Sequence, residues 1–183
     1  MYTSRSKIEN YLLMEVEPWF TSQVDEWINQ MSRLIDRKTN RTFIADTEAS
    51  ARLYDGTGTA EIVIDEFVEL DTLKIQDREI DDYLLYPANM EAKHRILVPQ
   101  GIPRGAQIVE ATAKWGYSVE VPPEITFACT VLVAGIINAS YNHEGEVQSE
   151  TIGRYSVTYK TDKQVTDFET AKDILKQYRR ITF

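Results

Sequence analysis

Covalent and metal staples are missing from this chain. It has one cysteine, Cys129, so no internal disulfide can form. Its two histidines, His94 and His143, lie far apart, with no cysteine or acid at a metal-ligand spacing. A lone thiol fits a reducing compartment. Positive charge is also scarce: 20 Lys and Arg stand against 29 Asp and Glu, a net charge of -9. A protein that grips phosphates needs a basic face, because its affinity comes largely from displaced counterions, so tight nucleic-acid binding is not expected. Internal repeats and low-complexity segments are absent, and the first ten residues hold no apolar signal core. A chain of 183 residues that is 43% hydrophobic can still bury a core without staples.

One uncharged stretch, residues 125–143, approaches the length of a bilayer span. It carries Thr126, Thr130, Asn138, Ser140 and Asn142, with no flanking basic cluster, so a buried helix is expected and no membrane contact.

The apolar spacing then divides the chain. A short helix is expected around 6–14. A longer one follows Pro18, with Val24, Trp27, Ile28, Met31, Leu34 and Ile35 at intervals of three and four, Ser22 and Asp25 as a capping pair, and Asn40 at its end. From Arg41 the texture becomes strand-like: 61–65, 67–75, 83–86, 94–98 and the alternating run 108–115. Asp55-Gly56-Thr57-Gly58-Thr59 reads as a hairpin turn, since no lysine follows to make it a phosphate loop. Pro122-Pro123 opens a helix over 124–141 that is apolar on most of its circumference. Such a helix must be covered on several sides, by its own unit or by another subunit. Its candidate subunit-packing residues are Phe127, Val131, Val133, Ile136 and Ile137. Tyr155, Val157 and Tyr159 mark a strand or hairpin arm, and a last helix is expected over 167–180. The fold class is α+β: a helical bundle, residues 1–42 and 119–183, with a large antiparallel β-rich insert, residues 43–118.

No constellation for catalysis emerges, and neither a cofactor nor a structural metal is expected. Cys129 sits inside the apolar helix and reads as a buried thiol. Nine acids against Lys74 and Arg78 crowd residues 61–82, as a solvated face or as a surface that repels a polyanion. The C-terminus is less bland. Tyr178, Arg179 and Arg180 offer charge-assisted contacts, and Ile181 and Phe183 offer apolar anchors, so this tail is a candidate docking element.

Three blocks carry a resemblance. Trp27-Ile28, Ser32, Ile35-Asp36, Thr39-Asn40-Arg41 and Phe43 form the first. Ala111 to Tyr117 with Val121-Pro122-Pro123-Glu124-Ile125, Ala128 and Leu132 form the second, and the run from Ser149 to Tyr159 the third. In this order they resemble phage head–tail connector proteins, the adaptor or head-completion family of long-tailed bacteriophages. The long β block is a departure from compact members. The resemblance implies a non-enzymatic virion protein at the head–tail interface, made in the host cytoplasm. It implies a homo-oligomeric ring, usually twelve-fold, below the portal. That ring would extend the DNA channel, let duplex DNA pass without tight binding, and meet the next connector (stopper) or a tail protein. Portal engagement through C-terminal segments is part of the same implication. The competing reading is a small β-rich binding module or enzyme with its site in residues 60–115.

Overall fold

The structure is a computed structural model and describes residues 1–141, 148–152, 155–159 and 161–180. Helices and strands run in the order α1 (Arg5–Leu12), α2 (Thr21–Thr39), β1 (Ser50–Thr57), β2 (Glu61–Ile75), β3 (Arg78–Glu79), β4 (Leu84–Tyr86), β5 (Lys93–Leu97), β6 (Arg104–Trp115), α3 (Pro123–Tyr141), β7 (Gln148–Ile152), β8 (Tyr155–Tyr159) and α4 (Asp162–Gln177). The architecture is α+β with antiparallel sheets. Two compact units share the chain: residues 1–40 with 121–183, and residues 41–120.

In the helical unit, Val24, Ile28, Met31, Leu34 and Ile35 line the buried face of α2, and Trp27 is half-buried. Ser22 does not cap this helix. The chain enters α2 from a 3-10 turn at Pro18–Phe20, and the Thr21 hydroxyl donates to the Pro18 carbonyl at 3.0 Å. Asp25 instead pairs with Arg5 at 2.6 Å. Asn40 ends the helix in a left-handed conformation, φ 54, with its N–H closing on the Asp36 carbonyl.

Helix α3 is the centre of this unit. It packs against α1, α2, α4 and β8, and twelve of its nineteen residues are buried. By length and composition it could cross a membrane, yet two thirds of that stretch is buried inside the protein. β8 comes so near that a Cβ added at Gly135 would lie 2.0 Å from Val157 Cγ1. Helix α4 starts five residues before the expected 167, capped by the Thr161 hydroxyl, which accepts from the Gln164 amide at 3.2 Å. Its first turn is polar and only Phe168 and Ala171 are buried, so apolar spacing could not reveal the start.

In the β unit, the sheet order is β1-β6-β2-β5-β4, with β3 paired to the end of β2. β6 alternates as expected, burying Val109, Ala111, Ala113 and Trp115. The segments 61–65 and 67–75 are one strand. Its inward parity flips between Glu66 and Phe67, where adjacent residues are both buried and the register shifts. Glu61–Val63 pairs with β5, and Phe67–Ile75 with β6. The Asp55–Thr59 turn is not a hairpin, because β6 lies between β1 and β2. Its threonines serve the crossing: Thr57 and Thr59 hydroxyls both donate to the Glu61 carbonyl.

The ends of this unit are clasped together. Tyr117 N–H donates to Thr42 O and Ala45 N–H to Ser118 O, both at 2.8 Å. Gly116, φ 146, admits Ala45, whose Cα would lie 2.4 Å from an added Cβ. Arg41 lies 5.0 Å over the Tyr117 ring and pairs with the buried Glu66.

Candidate assembly surfaces

A basic end of the helical unit forms where α2 and α4 finish together. The Arg180 N–H donates to the Thr39 carbonyl at 2.8 Å, which places residues 179–180 beside Arg37 and Lys38. Arg33, Arg37, Lys38 and Arg179 are exposed and make no ion pair among the described residues. By contrast Lys172 and Lys176 are spent on Glu169 and Asp173. Of the expected docking tail, Tyr178 and Arg180 are half-buried and partnered, Arg179 is exposed, and Ile181 and Phe183 lie outside the described residues.

Exposed apolar and aromatic side chains lie elsewhere on the same unit. Leu13 is 91% exposed in a left-handed cap, φ 55, and Trp19 is 75% exposed. Phe20 joins Trp19, Trp27 and Tyr141 at centroid distances of 5.2, 5.1 and 5.4 Å. Periodicity placed Trp27 in the core but gave no signal that Leu13 and Trp19 lack cover.

The expected subunit-packing set on α3 has a different setting. Val131, Val133, Ile136 and Ile137 are buried inside the protomer, and only Phe127 is half-exposed. The uncharged circumference that asked for cover receives it from the helix's own unit.

Polar groups around α3 are mostly engaged, although the Tyr141 hydroxyl at its end is buried without a hydrogen-bond partner. Asn138 is buried and donates to Gln164 at 3.2 Å. Tyr11 donates to Asp167 at 2.9 Å, and Lys163 meets the same carboxylate at 2.6 Å. Burial, then the Asp167 bond, raises the Tyr11 hydroxyl well above the usual phenol range. Burial pushes the Cys129 thiol up to about 12, so it remains protonated and a poor nucleophile. Among the described residues no three of His, Cys, Asp and Glu are placed to hold a metal. His94 is half-buried on β5 with its own partner, and His143 lies outside the described residues.

A profile of the head completion protein matches residues 4–181. The chain belongs to the head completion protein family. Membership carries a structural role in joining phage head to tail. No curated protein matches the chain significantly. Among solved structures, a chain from the "Neck of empty GTA particle computed with C6 symmetry" is similar over 100% of this chain and 91% of that one. Identity is 13% and the TM-score 0.61, a likeness of fold.

This family member divides its charge unevenly. The β unit holds 15 acidic and 8 basic side chains, the helical unit 14 and 12. Along β2 most acids are neutralised: Glu61 by Arg95, Asp65 by Arg52, Glu66 by Arg41 and Glu69 by Lys114. Asp71, Asp77, Glu79, Asp81 and Asp82 make no ion pair among the described residues. The crowding of acids in 61–82 is therefore two things, a strand paired except at Asp71 and an unpaired segment, 77–82.

Proposed function

We propose that this protein is a ring subunit bound below the portal, extending the DNA channel and presenting a surface to the next connector or the tail. The family match over residues 4–181 carries the reading. The helical unit, a bundle around α3, is taken as the connector core, and the β unit as its insert. Half-exposed Phe127 is the remaining α3 candidate for subunit packing. The uneven acidity suits a channel through which duplex passes without sticking. No enzymatic step is assigned.

The experiment is reconstitution on DNA-filled, portal-bearing heads that lack this protein. Cryo-electron microscopy should reveal an added ring beneath the portal and restored tail joining. Heads that stay unchanged, or join tails equally well without it, would refute the reading. The tail is tested separately. Deleting residues 181–183 should leave the melting temperature nearly unchanged and prevent attachment to heads. A truncated chain that attaches normally removes the docking role, and a large fall in melting temperature assigns the segment to the fold.

A further inference from the structure

We propose that the basic end shared by α2 and α4 receives the acidic segment 77–82, from the β2–β3 turn through the residues that follow β3, of a second copy of this chain. The inference rests on the ring reading above and names the contact between its neighbours. The receiving surface is Arg33, Arg37, Lys38 and Arg179, all exposed and without an ion pair among the described residues. Arg33 and Arg37 stand one helical turn apart, and the Arg180–Thr39 bond brings Arg179 to the same end. Arg52 and Arg95, by contrast, are spent on Asp65 and Glu61, and the other exposed cations without an ion pair among the described residues, Lys7, Arg78 and Arg104, are not gathered at this end.

The occupant is chosen by complementary charge. Residues 77–82 carry four acids and one base, Arg78. Gln100 donates to Asp82 at 3.2 Å, and Lys74 lies within electrostatic reach of Glu79 and Asp77 without an ion pair to either. The turn is held in one shape. Gln76 and Asp77 are both left-handed, Gln76 N–H donates to Ile108 O at 2.8 Å, and Ile80 N–H to Leu73 O at 2.9 Å. A fixed acidic segment is suited to a fixed basic surface, since little order is lost on contact.

Duplex DNA is the weaker occupant. The cations sit at helix C-termini, whereas phosphates are favoured at N-termini. The chain as a whole also repels a polyanion with its -9 charge. Patch and turn belong to different units, so the contact joins unlike surfaces. Contacts of that kind close into rings when the rotation permits. Charge pairs of this type set register and speed association, and they weaken with salt.

The test uses full-length protein, with self-association read by sedimentation at low and moderate salt and copy number read on portal-bearing heads. The Arg37→Glu/Lys38→Glu variant and the Asp81→Lys/Asp82→Lys variant should each associate about tenfold more weakly, with melting temperature unchanged. The chain carrying all four reversals should regain association to within roughly threefold of wild type. Unchanged association in both double variants would overturn the inference, as would failure of the fourfold chain to recover. If Arg37→Glu/Lys38→Glu instead abolishes binding of a random 30-base-pair duplex and leaves association intact, the patch is a DNA contact and the inference is wrong. Wild-type protein that neither self-associates nor joins heads defeats the ring reading itself. Wild type that joins heads irrespective of the reversals defeats only this contact.

Discussion

At Gly135 a methyl group would have to share space with Val157, so this residue sets how closely β8 can lie on α3. Alanine there gains about 1 kcal/mol of helix propensity, and overpacking against a short β-branched side chain costs roughly 1–3 kcal/mol. Gly135→Ala should therefore lower stability by about 1 kcal/mol, measured by urea denaturation. Cys129 and Tyr54 make a second residue-scale prediction. Burial pushes both up to about 12, and for Tyr54 the Asp65 carboxylate adds to it. Tyr11 moves in the same direction. Each keeps a proton in the native state that the unfolded chain loses, so the unfolded state binds fewer protons and stability falls as pH rises. The contribution is intact below the ordinary thiol and phenol values near 9 and 10, and is lost towards 12. Melting temperature should therefore drop across pH 9 to about 12. In Cys129→Ser, whose hydroxyl does not ionise there, the drop should begin later. Native protein should resist thiol reagents at pH 8 until denaturant is added. Buried Cys129 was legible in the sequence because it lies in an uncharged helix. The exposure of Leu13 and Trp19 was not, because spacing shows which residues share a face and not whether anything covers it.

The elements were legible where one periodicity held throughout. Helix α2 and strand β6 have clear apolar patterns that their cores follow, and α3 was legible by its uncharged apolar run rather than by a period. Pattern reading failed where the period broke or was too thin. β2 looked like two strands because its inward face changes side at Glu66–Phe67. Helix α4 looked short because its first turn buries nothing. The Asp55–Thr59 turn looked like a hairpin because partner order in a sheet is not written in a turn. The true tight hairpin, at Gln76-Asp77, passed unnoticed because it lacks glycine and asparagine. Both of its residues are left-handed, φ 50 and 62, as a type I′ turn requires. Gln76→Asn should relieve part of the backbone cost and raise stability by about 0.5 kcal/mol. Thermal unfolding followed by circular dichroism would check it, and a lowered midpoint would contradict this account of the turn.

For the whole molecule, the clasp at residues 41–46 and 115–118 has the clearest outcome. Chain entry and exit of the β unit are hydrogen-bonded to each other, and its core draws on its own strands. Residues 41–120 produced alone should therefore fold and melt cooperatively. Broad, non-cooperative melting or rapid proteolysis of that fragment would show that the unit depends on the helices. The candidate site was the least legible feature at this scale. Arg179 joins Arg33, Arg37 and Lys38 through the bond from Arg180 to Thr39, two residues far apart in sequence, and the acidic segment stands out only once the β2 acids are paired off. The placement of the three tryptophans gives the protein its own optical reporters. Trp115 is 2% exposed inside the β unit, stacked under Arg52 at 4.4 Å, while Trp27 is half-buried and Trp19 is 75% exposed on the helical unit. A Trp115→Phe chain would fluoresce from the helices alone, and a chain with Trp19 and Trp27 both replaced by Phe from the sheet alone. Unfolding of the two units can thus be timed separately, and shielding of Trp19 from a soluble quencher would signal the moment that surface meets a partner.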